Sequence, residues 1–532
     1  MKTQRTRWIV IALCMMLVMA LASCTAATPT APAATASSEP AGTTSPTDSA
    51  EATVAPLDPV ELTWYSPTGL YADLDLVTDK LNEYLKDSLN VTLKPYFLEW
   101  TDFGTKVPVM LTSGQNMDIV FTMAWSGNPY VACATSGYYA PLDDLITQYA
   151  PKTKALFSDQ IWDGVRIKGS IYVVPSYKDL ATQYQIMYNG KLAKELGVDF
   201  EQPFKSFLDV VPVLYKAKEL KHQKFPEDDN YVVGYNTGFE YCYLYESIIS
   251  GVGVNIDGIN SIADQGSGEK VFSVYETPEY ASYCALMRQL VVDGISPMDP
   301  QYDSDQTKWQ SGKMLTNGCP TGYIFMDPNS YGENVEAKVA NLGKASMTTA
   351  YVQCGNAISV TSQNKERAMM LLEQVNTDET LATMIRLGIE GTHYEVESDG
   401  RLNCTIGNNA DVTNRGYFIF IGWMLGNITA SKIPNTHPAD IWDRYKDLNN
   451  NSVISTNLGF TFDASPVQNE IAAISSVISE YQAPLSSGLV DVDKTLGEFK
   501  QKLKDNGIDK IVQEVQNQLN TWRAGKGLST VS

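Results

Sequence analysis

Histidine is scarce in this chain: His222, His393 and His437 are the only three in 532 residues, and none stands in an HxxxH or HExxH arrangement. Helix-borne zinc chemistry, which needs two imidazoles at such a spacing, has no footing. Cysteine numbers eight but forms no CxxC pair, so the spacings of zinc ribbons and dithiol redox motifs are absent too. There is no nucleophile elbow, no Ser/His/Asp pattern and no phosphate-binding loop, which leaves the common hydrolase and nucleotide signatures without support. Asp299, Asp303 and Asp305 approach a calcium loop, yet the required glycine and terminal glutamate spacing is missing. Cations are few as well, 40 Lys+Arg against 61 Asp+Glu for a formal net charge of −21. A surface that acidic argues against nucleic acid and against electrostatic attraction to anionic lipid.

What is present begins at the amino terminus. Lys2, Arg5 and Arg7 form a basic start, followed by an almost unbroken apolar run from Trp8 to Ala20. A run that short, between a positive segment and small residues, reads as an export signal rather than a membrane span. Leu21-Ala22-Ser23-Cys24 resembles the lipobox of bacterial lipoproteins. The resemblance implies removal of residues 1–23 and acylation of the Cys24 thiol. At about 0.8 kcal/mol per buried methylene, two or more acyl chains anchor durably. Removing the signal takes three cations with it and leaves 37 Lys+Arg against 61 Asp+Glu, or −24.

From 24 to 59 the chain is almost wholly Ala, Thr, Ser, Pro, Glu and Asp, without an aromatic residue. Such a stretch cannot bury enough apolar area to offset its ordering entropy and reads as a mobile tether. About 470 residues remain, which is two or three domains' worth of chain. Of the cysteines, Cys133, Cys242, Cys284, Cys319, Cys354 and Cys404 lie in this body. Export permits disulfides between them, but their irregular spacing favours buried free thiols.

The body alternates between strand and helix patterns. Val60 to Tyr65 reads as a strand, Asp73 to Asp87 as a helix, Val91 to Leu98 as a strand, Phe103 to Ser113 as a helix and Met117 to Phe121 as a buried strand. That order implies a largely parallel sheet covered on both faces, with ligands bound beyond the carboxyl ends of its strands. Those ends are aromatic: Trp64, Tyr65, Trp125 and Tyr177 all fall there. Aromatic faces stack on the apolar faces of sugar rings, although aromatics are as much at home in cores.

Four segments, in order, resemble the extracellular solute-binding lipoproteins of bacterial ABC importers, in particular their carbohydrate branch. They are Ser113-Gly-Gln-Asn-Met-Asp118-Ile-Val, Gly137-Tyr-Tyr-Ala-Pro141-Leu-Asp143-Asp144-Leu, Gly169-Ser-Ile-Tyr172-Val-Val-Pro175 with Met187-Tyr188-Asn189, and Gly355-Asn-Ala-Ile-Ser-Val360 with Asn364-Lys-Glu366. Gly388-Ile-Glu390-Gly391-Thr-His393-Tyr394 and the stretch from Gly459 to Trp522 resemble the LipO-like subgroup, which carries an extra helical segment at the carboxyl terminus. In that segment Ser465 reads as a helix cap and Asp493 as the start of a second helix. Apolar residues on one side of these helices must dock on the body or on a partner.

The resemblance implies an α/β fold of two lobes joined by a hinge. It places the first lobe at 58–180 plus 355–390, the second at 181–354 plus 391–458, and the helical segment at 459–525. It further implies capture without catalysis: a lipid-anchored, extracytoplasmic monomer closes on a carbohydrate, needs no cofactor or metal, and delivers its cargo to a permease. Hinges would fall near 176–185 and 352–356. Candidate ligand contacts are Trp64, Tyr65, Trp125, Tyr177 and Asp179 on the first lobe or its exit. Glu240, Tyr241, Tyr243, Trp309, Tyr323, Glu390 and Trp423 are the candidates elsewhere. Two alternatives stay open at this point: a lipid-anchored glycoside hydrolase using a carboxylate pair, and the same fold binding a peptide or another polar solute.

Overall fold

The computed structural model describes residues 57–124, 129–226, 245–249, 251–257, 268–296, 309–317, 334–412, 414–420 and 422–531. Cys24, Trp125, Glu240, Tyr241, Tyr243, Tyr323, Cys242, Cys319 and the acidic turn at 299–305 lie outside these residues. Among the described residues no helix is long and apolar enough to cross a membrane.

Two apolar cores divide the body. The first is built on a five-stranded sheet, in which β1 (Val60–Ser66) lies between β2 (Val91–Phe97) and β3 (Ile119–Met123), all parallel. Helices α1 (Leu74–Leu89) and α2 (Trp100–Thr112) make the two crossovers, as parallel pairing requires. Strand Cys354–Ile358 returns antiparallel to β3, and the short strand Val174–Pro175 completes the edge. Gly355 is required there: a Cβ on it would stand 2.0 Å from the Val174 carbonyl oxygen.

The recurrent motifs turn out to hold this sheet together. Asp118 is buried, and its Oδ2 accepts the Thr63 amide at 2.9 Å and the Thr63 hydroxyl at 3.0 Å, while Ser362 donates to Oδ1. One carboxylate thereby joins the mouth of β3 to β1 and to the turn after the returning strand. Asp143 acts in the same way, accepting Arg166 Nη1 at 2.6 Å and the Ile171 amide at 2.9 Å, so the second motif is tied to the third.

Among the described residues, the second core gathers apolar side chains between Ile186 and Leu315, Ala340, Leu342, and others from Phe460 to Leu519. Strand Gln185–Asn189 pairs with Ala337–Asn341, and a three-stranded antiparallel sheet is formed by Glu246–Ile249, Val254–Ile256 and Val271–Ser273. The carboxyl-terminal helices Gln468–Ser486, Val492–Asp505 and Ile508–Gly525 bury Ile474, Leu485, Phe499, Leu503, Ile511 and Leu519 in this core. Their docking surface is therefore the body itself. The first cap differs from the expectation, since Asp463 accepts the Ser465 amide; the second helix starts at Val492, one residue before Asp493, and Asp491 caps it by accepting the Lys494 amide at 3.1 Å.

The chain passes between cores three times, and the boundaries differ from those expected. It leaves the first core after Ala181, returns between Leu342 and Ala345, and leaves again between Leu458 and Phe460. The return thus precedes the expected 352–356. Residues 391–458, expected in the second lobe, contribute Tyr417, Ile419, Met424, Leu425 and Leu458 to the first core. The three crossing segments lie side by side: Thr182 exchanges amide bonds with Ser346, and Ser346-Met347 pairs in parallel with Val453-Ile454. Four of the body's cysteines, Cys133, Cys284, Cys354 and Cys404, are buried free thiols.

Candidate functional site

The carboxyl ends of β1, β2 and β3 and the exit from Val174–Pro175 share one edge of the first-lobe sheet. On that edge Trp100 opens α2, directly beyond the end of β2, and leaves 43% of its surface in solvent. Its ring lies 6.0 Å from that of Trp423 and 6.5 Å from that of Phe121, and Phe121 in turn supports Trp423 edge-on at 5.5 Å. The Lys178 ammonium stands 5.7 Å from the Trp423 ring. The result is an aromatic ledge with a cation beside it, set on the rigid end of a sheet.

The polar part of the edge is densely tied. Lys178 and Asp179 are both buried, and Lys178 Nζ donates to the Asp179 carbonyl at 3.0 Å and approaches its carboxylate at 3.3 Å. Burial raises the Asp179 carboxyl above its ordinary range, and the neighbouring ammonium offsets only part of that. Asn449, on helix Ile441–Asn451, accepts the Leu180 amide and donates to the Lys178 carbonyl, so 178–180 is clamped at two points. Ser66, Thr68 and Ser176 bury hydroxyls that find no hydrogen-bond partner among the described residues; Ser66 is the last residue of β1, and the other two follow strand ends. Buried hydroxyls without partners are costly in a fold and point to groups that a ligand or water satisfies.

Trp423 is held by its neighbours' backbone. Asn356 donates to the Met424 carbonyl at 2.9 Å, and Arg386 Nη2 donates to the Leu425 carbonyl at 2.9 Å. Arg386 is fully buried, and that burial depresses its guanidinium from 12.5 to about 9. Here Trp64 finds its place: it is fully buried and its Nε1 donates to Asn356 Oδ1 at 2.9 Å. It supports the ledge from inside the core and presents no face to the cleft.

The remaining candidates divide. Tyr65 is buried and stacked on Tyr96 at 4.5 Å; burial pushes its hydroxyl up to about 12. Trp309 is fully buried in a small cluster with Met187, Met314 and Val335 and is a core residue of the second lobe. Tyr177 is half-buried beside Lys178 and packs on Phe157. Glu390 is exposed on a turn whose His393 bonds Asp73 at 3.1 Å, immediately before α1. That bond brings the turn to the carboxyl end of β1. The edge therefore unites Trp423, Tyr177 and Asp179, keeps Glu390 at its border, and excludes Trp64, Tyr65 and Trp309 from direct contact. Trp100 and Lys178 belong to it although neither was a sequence candidate. The position of Trp100 one residue after Glu99, at the end of a strand pattern, was the available signal.

A recess of about 280 Å³ on the second lobe is lined by Tyr188, Phe200, Lys194, Glu201, Glu336 and Lys338. Its charges close on one another, Lys338 pairing with Glu201 at 3.1 Å and Glu336 at 3.6 Å. Among the described residues no group of three or more His, Cys, Asp or Glu side chains is placed to hold a metal ion.

Residues 456–524 match a family model described as a domain of unknown function, DUF3502. Over 467 residues the chain is 25% identical to a carbohydrate ABC transporter substrate-binding protein of Streptococcus pneumoniae serotype 4, strain TIGR4, covering 85% of this chain and 89% of that protein. Among solved structures it is similar to the N-glycan transport solute-binding protein NgtS of Streptococcus pneumoniae, with a TM-score of 0.74, 23% identity, and 88% of this chain and 100% of that one covered. The same protein in complex with Man1GlcNAc aligns with a TM-score of 0.65, 22% identity and coverage of 87% and 99%. An extracellular solute-binding protein from Bifidobacterium longum subsp. infantis gives 0.56, 15% identity and coverage of 88% and 99%. The fold is that of two-lobed solute-binding proteins, and the resemblance to the sugar-binding proteins of ABC importers is borne out.

Proposed function

We propose that this protein captures an oligosaccharide between its lobes and delivers it to the permease of an ABC importer, acting as a receptor and not as an enzyme. The observation that carries the reading is the ledge of Trp100 and Trp423 beside Lys178 and Asp179, at the strand ends of a two-lobed fold. A sugar stacked on the ledge turns its apolar face to the rings, and its hydroxyls meet Asp179, Glu390 and the unpartnered hydroxyls of Ser66 and Ser176. Closure of the second lobe is driven by the extra affinity of the closed state; moving a population from 1:99 to 99:1 takes roughly 5.5 kcal/mol of differential binding. The complex of NgtS with Man1GlcNAc makes glycans containing mannose and N-acetylglucosamine the first class to test. A lipid on Cys24 would keep the receptor at the outer face of the membrane, within reach of its permease.

Calorimetric titration with short mannose–N-acetylglucosamine oligosaccharides tests the reading. Saturable binding with the sugar recovered intact is expected, and Trp100→Ala should weaken it about 30-fold, the ~2 kcal/mol of an aromatic hot spot. Cleaved sugar accumulating over hours would turn the assignment to a glycosidase. Tight peptide binding with no glycan response would turn it to a different cargo.

A further inference from the structure

The carboxyl-terminal helices do more than cover the second lobe. Their last member, Ile508–Gly525, carries Arg523 in its final turn, where it is 2% exposed. Arg523 Nη1 donates to Asn457 Oδ1 at 2.7 Å and to the Gly268 carbonyl at 2.9 Å, and its Nε donates to the Ser529 carbonyl at 2.6 Å. Asn457 is fully buried at the start of the third crossing, three residues before Phe460, where the chain enters the second core. The same segment is held by Asn457 Nδ2 on the Gly268 carbonyl at 2.9 Å and by Ser455 Oγ on the Glu246 carboxylate at 2.6 Å. It packs so closely that a Cβ on Gly268 would lie 2.5 Å from Thr456 Oγ1.

The crossing segment is bonded to the first lobe as well. Thr349 Oγ1 donates to the Asn457 carbonyl at 3.2 Å and accepts the Gly459 amide at 2.9 Å, and Gln353 Nε2 donates to Thr461 Oγ1 at 3.2 Å. Rotation of one lobe against the other must strain one set or the other. The first-lobe set consists of neutral bonds, whereas the second-lobe set contains the buried Arg523 guanidinium, and bonds to an ionised group are roughly twice as strong as neutral ones.

We infer that the carboxyl-terminal helical segment is a hinge anchor: Arg523 fixes residues 455–457 to the second lobe, so that lobe rotation is taken up at the Thr349 and Gln353 contacts. This gives a role to a segment whose family model carries none, and it rests on the reading that the lobes close on a ligand. Without the anchor the third crossing loses its fixed pivot, the open ensemble widens and closure becomes less favourable.

The full chain is tested with distance probes at exposed Gln148 and Glu498, one on each lobe. Arg523→Gln should broaden the interlobe distance distribution without any ligand and weaken binding of the mannose–N-acetylglucosamine oligosaccharide about tenfold, within the usual range of coupling between sites. Leu503→Ala, which loosens the same helices in the core without touching the crossing, should lower the melting temperature and leave distances and affinity unchanged. Should Arg523→Gln fail to fold, Asn457→Ala removes the same bond from the other side and should reproduce its effect. Unchanged distances in a folded Arg523→Gln or Asn457→Ala, or equal shifts in Leu503→Ala, overturn the anchor. The ligand-free distances decide this even if no oligosaccharide binds, an outcome that would count against the receptor reading alone.

Discussion

Glu246 should make the second lobe less stable as pH rises, and the size of the effect follows from its surroundings. It is 4% exposed and receives a hydrogen bond from Ser455, which does not compensate for burial, so the carboxyl is pushed from 4.5 to about 7. Below pH 4.5 the group is protonated in both folded and unfolded chains and contributes no pH dependence. Between 4.5 and about 7 the folded chain keeps a proton that the unfolded chain releases, so stability falls by about 1.4 kcal/mol per pH unit. Above 7 both states are ionised and the loss levels off at about 3 kcal/mol. Glu246→Gln keeps the shape and the bond from Ser455 but cannot ionise. Calorimetric melting of wild type and variant from pH 4.5 to 8.5 should therefore show the variant's relative stability growing to about 3 kcal/mol, several degrees for a lobe of this size. Titrations common to both chains cancel in the difference. A difference that stays flat across the range, or a variant less stable than wild type at pH 8, would refute the argument that desolvation governs this carboxyl.

Three further outcomes are expected. Trp64→Phe leaves the buried Asn356 Oδ1 without its donor, so stability should drop by about 2 kcal/mol in denaturant unfolding while oligosaccharide affinity changes less than about threefold; the reverse pattern would restore Trp64 to the ligand. Gly355→Ala forces a Cβ onto the Val174 carbonyl, and expression trials should yield little folded protein, a penalty above about 4 kcal/mol. Cys24→Ser should move the protein from the membrane fraction to the soluble fraction of cells, and retention on the membrane would argue against a lipid anchor.

The alternation of strand and helix made the first lobe legible, because both period and turn residues agree from Val60 to Met123. What alternation cannot resolve is which face of a doubly covered parallel sheet a residue occupies. Trp64 and Tyr65 are both buried, on opposite faces, so an aromatic at a strand end was no guide to the cleft. The apolar spacing of α2 points to Phe103 as its start, which leaves the true first residue, Trp100, in the connection. The assignment of 391–458 failed for a different reason. That stretch is fastened by single bonds between side chain and backbone, such as Asn376 Oδ1 with the Asn427 amide at 2.7 Å and Arg386 Nη2 with Leu425, and such bonds have no period. The helices after 467 were visible from their one-sided apolar faces, but Arg523 is a lone cation in a final turn, and nothing in its spacing points 66 residues back to Asn457.

Three passages of the chain between the cores also constrain how the molecule comes into being. Neither lobe is a continuous stretch of polypeptide: the first closes only when residues up to Leu458 have arrived, and the second only when the helix ending at Gly525 docks. Contacts of such long sequence separation form late and slowly. A chain that emerges amino terminus first has no finished half to bury until almost all of it is available. A chain stopped at 458 would carry the elements of the first lobe with a second lobe lacking Ile474, Phe499 and Ile511, its apolar side bare and prone to association. Folding is in this way coupled to the last few dozen residues, and shortening the carboxyl terminus is a manufacturing fault before it is a binding defect.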